Sequence, residues 1–178
     1  MPIKIKYTNK SAKKNSTNLV LFSNDTFNIK GFKNYLSKSE SSYINDLLKI
    51  NDLKKNILIF ELNSKKKIIL ISIKKDLKNS DIENLGAEFY GRVNFGKKGE
   101  YHLLSDSISI KNENFLGHFL HGLKLKSYEF NKYKSKKNTR LIVLNITGAK
   151  NKPSLKNILK FKALEEGSFY ARDLVSEP

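Results

Sequence analysis

Ile57-Leu58-Ile59-Phe60-Glu61-Leu62, Asn63-Ser64-Lys65-Lys66 and Lys67-Ile68-Ile69-Leu70-Ile71-Ser72-Ile73 follow one another without a break. Both apolar runs are rich in β-branched residues and the connector is polar, so the stretch predicts a β-hairpin. The second run is almost continuously apolar, which is the pattern of a strand covered on both faces. A strand of that kind needs helices above and below it. One follows at once: Ser80-Asp81-Ile82-Glu83 is a capping-box pattern, in which the Ser80 hydroxyl accepts from the amide three residues on and Glu83 reaches back. Ile82, Leu85, Phe89 and Val93 then share one helical face, and Gly96-Lys97-Lys98-Gly99 stops the helix.

Outward from this unit the pattern repeats. Towards the N-terminus, residues 3–7 alternate as a strand and Lys10 to Asn18 is a polar loop. Leu19-Val20-Leu21-Phe22 reads as a buried strand that ends in the turn Ser23-Asn24-Asp25. Residues 26–39 show no firm period, and Ile44, Leu47 and Leu48 mark a helix over Ser41–Ile50. Towards the C-terminus, residues 101–110 alternate as a strand. Asn112 is placed to cap a helix with the stripe Leu116, Phe119, Leu120, Leu123. Lys132 to Asn138 is a basic loop, and Leu141 to Ile146 is a buried strand. A turn from Gly148 reaches Pro153, which suits a first helical turn, and a last helix covers about residues 154–175. Strands alternating with helices at this spacing predict an α/β fold: a mixed β-sheet sandwiched between helices, without internal repeats or long linkers.

Composition narrows the function. The chain has 178 residues, enough for one domain with a real core. It contains no cysteine, so disulfides, thiolate metal sites and catalytic thiols are excluded. No apolar run approaches the ~18 residues that span a bilayer, and the N-terminus lacks the apolar core of a signal peptide. The expectation is a soluble cytoplasmic protein with no membrane partner. The net charge is +17, yet only Arg92, Arg140 and Arg172 among the 34 basic residues are arginine. Phosphate and base readers favour the bidentate arginine fork, so a lysine bias shared with abundant Asn and Ile points first to base composition of the gene.

Each candidate constellation has a plain structural counterpart. Gly91-Arg92-Val93-Asn94-Phe95-Gly96-Lys97-Lys98 approaches a phosphate-binding loop, but Lys98 stands at the hydroxyl position and a helix precedes it instead of a strand. His118 and His121 lie one turn apart without a third ligand at metal spacing, and His102 does not supply it. Glu165 and Glu166 are adjacent, so they diverge around a helix, and both read as solvated surface. Lys132, Lys134, Lys136 and Lys137 interleave with Tyr128, Phe130 and Tyr133, which suits either single-strand stacking or an ordinary loop with buried rings. In the last helix Ala163, Gly167 and Ala171 leave a groove of small side chains that admits a close neighbour.

Two segments carry a resemblance. Gly122-Leu123-Lys124-Leu125-Lys126-Ser127-Tyr128-Glu129-Phe130-Asn131-Lys132-Tyr133-Lys134 resembles the Gly…Leu-Gly-x-Tyr-x-Phe-x-x-Tyr-Lys segment of leucyl (cytosol) aminopeptidases. Glu166-Gly167-Ser168-Phe169-Tyr170-Ala171-Arg172-Asp173-Leu174-Val175-Ser176-Glu177-Pro178 resembles their Glu-Gly-x-x-x-Ala-Arg-Asp-Leu-Val-x-x-Pro segment. Lys126 stands where that family usually has glycine, and Ile69 to Ile73 lacks the family's Gly-Leu-Gly ending. The resemblance implies a macro-domain-like N-terminal domain over residues 1–153. It also implies that residues 154–178 form that domain's C-terminal helix, leading to a catalytic domain absent from this chain.

In the family the catalytic domain binds two divalent cations (Zn or Mn) and helps build a homo-oligomer, a hexamer, that cleaves peptide substrates. Its motifs are not in this sequence, so no catalytic, cofactor-binding or metal residue is carried over onto this chain, whose own role would be structural and oligomer-shaping. The alternative is a nucleic-acid-binding module that meets DNA through a lysine-rich surface. A stand-alone ADP-ribose binder is a third reading, which a macro-like fold does not by itself license.

Overall fold

The computed structural model describes residues 3–8, 18–93, 99–110, 112, 114–130, 132–133 and 141–177. Among these residues six strands and four helices alternate: β1 (Ile3–Thr8), β2 (Asn18–Asn24), α1 (Lys38–Ile50), β3 (Ile57–Asn63), β4 (Lys66–Ile73), α2 (Asn79–Val93), β5 (Gly99–Leu104), α3 (Phe115–Lys126), β6 (Ile142–Thr147) and α4 (Leu155–Ser176). They build one sheet of order β1-β6-β5-β2-β4-β3. All neighbours run parallel except β3 and β4, the predicted hairpin. This is the expected α/β fold with a mixed sheet between helix layers.

Residue parity sorts the core into two layers. Val20, Phe22, Ile69, Ile71, Leu103, Leu144 and Ile146 point to one face, where α2 and α3 cover them with Phe89, Phe119 and Leu123. Leu19, Leu21, Ile68, Leu70, Leu58 and Phe60 point to the other, beneath Ile44 of α1 and the segment that carries Phe27, Ile29, Phe32 and Leu36. Ile68 to Ile73 is buried throughout, because β4 lies inside the sheet and is covered on both sides. Phe22 meets Phe115 and Phe119 edge to face at 5.4 and 5.3 Å, a geometry that adds to the burial of the rings.

The helices α2 and α3 touch at backbone distance. A Cβ on Gly86 would lie 1.9 Å from the Phe119 carbonyl oxygen, and one on Gly122 would lie 1.9 Å from the Glu83 oxygen. Each helix presents a glycine to the other's main chain, and no larger residue fits either position.

Several boundaries differ from the expectation. α1 begins at Lys38, because Ser37 and Glu40 form a full capping box in the region without a period. The α2 cap is not Ser80: the Lys78 amide donates to Asp81 at 3.0 Å and the Lys78 carbonyl accepts from Ile82, so the helix starts earlier. β5 ends at Leu104, where a single 3-10 turn over Ser105–Ser107 replaces the second half of the predicted strand. Asn112 accepts the Asn114 amide in the turn before α3, and Asn114 is the residue at the cap position. Pro153 is buried one residue before the true cap, Ser154, whose hydroxyl accepts from the Asn157 amide. The predicted loop from Lys10 falls largely outside the described residues, as does the glycine-lysine helix stop.

Candidate functional site

The last helix crosses α3, and its inner face is built from three residues at intervals of four: Phe161, Glu165 and Phe169. Phe161 enters the notch left by Gly117, where a Cβ would come within 2.6 Å of its ring. Its ring sits between His118 and His121, with centroids 4.9 and 5.1 Å away. Phe169 stacks on Tyr128 at 5.4 Å. Between the two phenylalanines lies Glu165, which is 3% exposed. A buried carboxylate needs partners. Lys124 donates to it at 2.7 Å, and His121 Nδ1 lies 3.3 Å away.

The two segments with family resemblance lie against each other here. The Tyr128 hydroxyl donates to Asp173 at 2.5 Å. Arg172 donates to the Leu125 carbonyl at 2.8 Å, satisfying an orphan acceptor at the end of α3, and its guanidinium lies 5.4 Å from the Tyr128 ring. Upstream, Asn157 pairs with Asn114, and Lys152 donates to the Thr8 carbonyl at 2.8 Å on the edge strand β1. Burial, with a smaller contribution from the charge of Glu165, pushes the Tyr7 phenol up to about 12.

This seam decides several sequence candidates. His118 and His121 do share a helix face, but their Nδ1 atoms serve different acids, Glu83 at 2.7 Å and Glu165. Among the described residues no three His, Asp or Glu side chains gather as a metal site. Glu165 corrects the expectation of a solvated pair: Glu166 is exposed, whereas Glu165 is buried and anchors the seam. Its place between Phe161 and Phe169 at helical spacing was the available signal. Tyr128 faces inward on Phe169 instead of standing free for a base. Phe130 meets the exposed Tyr133 at 5.8 Å, and Lys134, Lys136 and Lys137 lie outside the described residues. The phosphate-loop candidate also lies outside them, apart from Gly91, Arg92 and Val93 at the end of α2.

The outer side of α4 is different in kind. Leu155, Leu159, Tyr170 and Leu174 are 72, 57, 66 and 55% exposed. At 3.6 residues per turn they fall within ~100° of one another, on a face turned away from Phe161 and Phe169. The small residues Ala163, Gly167 and Ala171 share this exposed side, and nothing within 4 Å would meet a Cβ on Gly167. The predicted groove therefore exists but is unfilled by the described chain. Large apolar residues in a row on an exposed helix mark an interaction surface.

At the carboxyl ends of the parallel strands, Gly148 (φ 125°) turns the loop so that the Ala149 and Lys150 amides converge. Such amide pairs take anions. Here Asp106 fills them itself, at 2.9 and 2.6 Å.

No family model and no curated protein sequence matches the chain. Solved structures do. A tomato leucine aminopeptidase variant superposes with a TM-score of 0.70 at 17% identity, over 99% of this chain and 38% of that one. The bottromycin maturation enzyme BotP superposes with a TM-score of 0.61 at 12% identity, over 92% of this chain and 33% of that one. BotP in complex with Mn gives a TM-score of 0.59 at 11% identity and 92% coverage. The chain thus spans 32 to 38% of the length of these enzymes. At such identities the likeness is one of fold: the chain has a fold like that of the leucine aminopeptidase N-terminal region.

Proposed function

We propose that this chain, with its leucine-aminopeptidase-like N-terminal fold, is the non-catalytic domain of a leucyl-aminopeptidase-type enzyme, with α4 seating it on a catalytic domain. The observation that carries this reading is the unfilled apolar stripe of Leu155, Leu159, Tyr170 and Leu174 beside the Ala163/Gly167/Ala171 groove. A helix pinned inward by Phe161, Glu165 and Phe169 presents that stripe rigidly. Arg172 ties its far end to Leu125 of α3 and Asp173 to Tyr128 just beyond it, so a domain attached beyond residue 178 would start from a fixed direction. In this reading residues 1–153 form the body and residues 154–178 the connecting helix, in a cytoplasmic, oligomeric peptidase.

The parent enzyme would release N-terminal residues from peptides, with two divalent cations, Zn or Mn, activating water and polarising the carbonyl. In this reading the ions belong to the catalytic domain, and this chain's part is to dock, orient and shape access. The test is hydrolysis of leucine p-nitroanilide, read as release of p-nitroaniline, in Mn²⁺ or Zn²⁺ by the 178-residue chain and by the product of its whole reading frame. The longer product turns over and the 178-residue chain does not. Turnover by the 178-residue chain alone would overturn the assignment.

A further inference from the structure

We propose that the cavity between α2, α3 and the end of α4 binds a dipeptide zwitterion, with its carboxylate on Arg172 and Lys126 and its ammonium on Glu83. The cavity measures about 480 Å³, within the range of small-molecule sites. Its floor follows from the glycine contact between the helices. Gly122 lies against the Glu83 main chain, and Gly122, Ala87 and Leu125 line an apolar depression beside that contact.

Both signs of charge stand around this floor. Arg172 is one of only three arginines among 34 basic residues. In a chain so biased to lysine, an arginine marks a place for its planar fork of five N–H groups, which matches a carboxylate. One N–H of Arg172 donates to the Leu125 carbonyl, and the guanidinium lies by the Tyr128 ring. Its other N–H groups have no acceptor among the described residues. Lys126 and Asn84 also line the cavity, and among the described residues neither side chain makes a hydrogen bond or ion pair. On the acidic side, Glu83 Oε1 meets His118 Nδ1 at 2.7 Å, and its second oxygen has no partner among the described residues.

The spacing selects the ligand. Glu83 sits at the level of Gly122. Lys126 lies one turn further, ~6 Å along α3. It also borders the adjoining depression at Gly91 and Arg92, so it stands at the far end from Glu83. Two extended residues span about 7 Å, so a dipeptide brings its two end charges to both groups at once. A single amino acid is too short to do so. A simple anion such as phosphate would face the Glu83 carboxylate with no charge to balance it. Asn84 offers a donor and an acceptor to the peptide group. Arg172 lies on the side of α4 turned to α3, so the site is separate from the outer stripe and does not rest on the peptidase reading.

Amide magnetic-resonance spectra of the isotope-labelled 178-residue chain, titrated with Leu-Leu, test the proposal. Saturable shifts are expected at Asn84, Ala87, Gly122 and Lys126, with a Kd of about 1 mM or tighter. N-acetyl-Leu-Leu lacks the ammonium, Leu-Leu amide lacks the carboxylate, and free leucine lacks the length. Each should bind at least about fivefold more weakly, since each forfeits a charge-assisted contact. Ala87→Leu fills the floor without removing a charge, and should abolish binding in a chain of unchanged melting temperature. Lys126→Gln alters a side chain that holds nothing in the fold, and should weaken binding at least about threefold. No saturable shift below ~10 mM Leu-Leu would overturn the proposal. So would shifts confined to other elements, analogues that bind as tightly as Leu-Leu, or binding that survives Ala87→Leu.

Discussion

Replacing Gly122 with alanine should destabilise the chain, while the same replacement at Gly167 should stabilise it. The two glycines sit inside helices, so alanine gains about 1 kcal/mol of helix propensity at each. At Gly167 nothing lies within 4 Å of the new methyl group, and the gain stands alone. At Gly122 the methyl carbon would lie 1.9 Å from the Glu83 oxygen, with the Glu83 carbonyl carbon and Cα at 2.5 and 2.6 Å. An ordinary contact needs roughly 1.5 Å more, and the obstacle is main chain, which cannot rotate aside.

Helices α2 and α3 must therefore move apart, opening the contact between Phe89 and Phe119, whose centroids are 5.6 Å apart. Overpacking of this size costs about 3 kcal/mol or more, for a net loss of about 2 kcal/mol or more. At ~2–4 °C per kcal/mol for a chain of this size, Gly122→Ala should melt at least ~4 °C below the parent chain, and Gly167→Ala ~2–4 °C above it. Circular-dichroism melts and urea midpoints read both. A Gly122→Ala chain as stable as Gly167→Ala would refute the close helix contact and the register it implies.

Three further outcomes are expected. Glu40→Gln should lose about 1–2 kcal/mol at neutral pH, since Glu40 completes a capping box and accepts from Lys66 at 2.6 Å. Burial pushes that carboxyl up, but Lys66 and the Ser37 amide outweigh it and hold the group below its usual value. Its stabilisation is thus present above the unfolded carboxylate pKa and fades as pH falls through the lower folded value. Urea midpoints of the two chains should converge in acid, and a gap that persists there would contradict the ion pair.

Tyr7 has the opposite sign: its phenol is raised from 10.0 to about 12, so its contribution is complete below 10 and is lost as pH climbs towards 12. Tyr7→Phe should therefore lose less stability than the parent chain across that window, and equal losses would deny the raised phenol of Tyr7. On the outer face of α4, Leu159→Lys and Tyr170→Lys should leave the unfolding midpoint within ~0.5 kcal/mol of the parent. A loss above ~1 kcal/mol would make these side chains part of the domain's own core and remove them as a docking stripe.

Legibility followed the range of the interactions. The hairpin from Ile57 to Ile73 was readable because both strands and their connector are contiguous. The α1 capping box was equally local, written as Ser37-Lys38-Ser39-Glu40, yet the lack of periodicity around it masked the start of the helix. Ser80 looked like a cap and was not one, because the Lys78 amide and Asp81 close the same kind of turn earlier. Local chemistry offered two solutions, and packing of Ile82 and Leu85 under α3 selects between them. Glu165 reads as surface in the sequence because its partners, Lys124 and His121, lie more than forty residues away. Gly86 and Gly122 carry no sequence signal that separates them from the open Gly167, since only the position of the neighbouring backbone distinguishes them.

By itself the sequence determined the element types and most of the alternation: apolar runs of strand length, helical stripes, a hairpin and a chain without thiol chemistry. These follow from periodicity and composition, which act within a few residues. Tertiary structure alone decided the strand order β1-β6-β5-β2-β4-β3, with β6 brought between β1 and β5. It also decided which helix face is core and which is left open. Phe161 and Leu159 are both apolar and two residues apart, yet one is seated on Gly117 and the other meets water. The difference is made by α3, because burial is a property of what a side chain meets and not of the side chain.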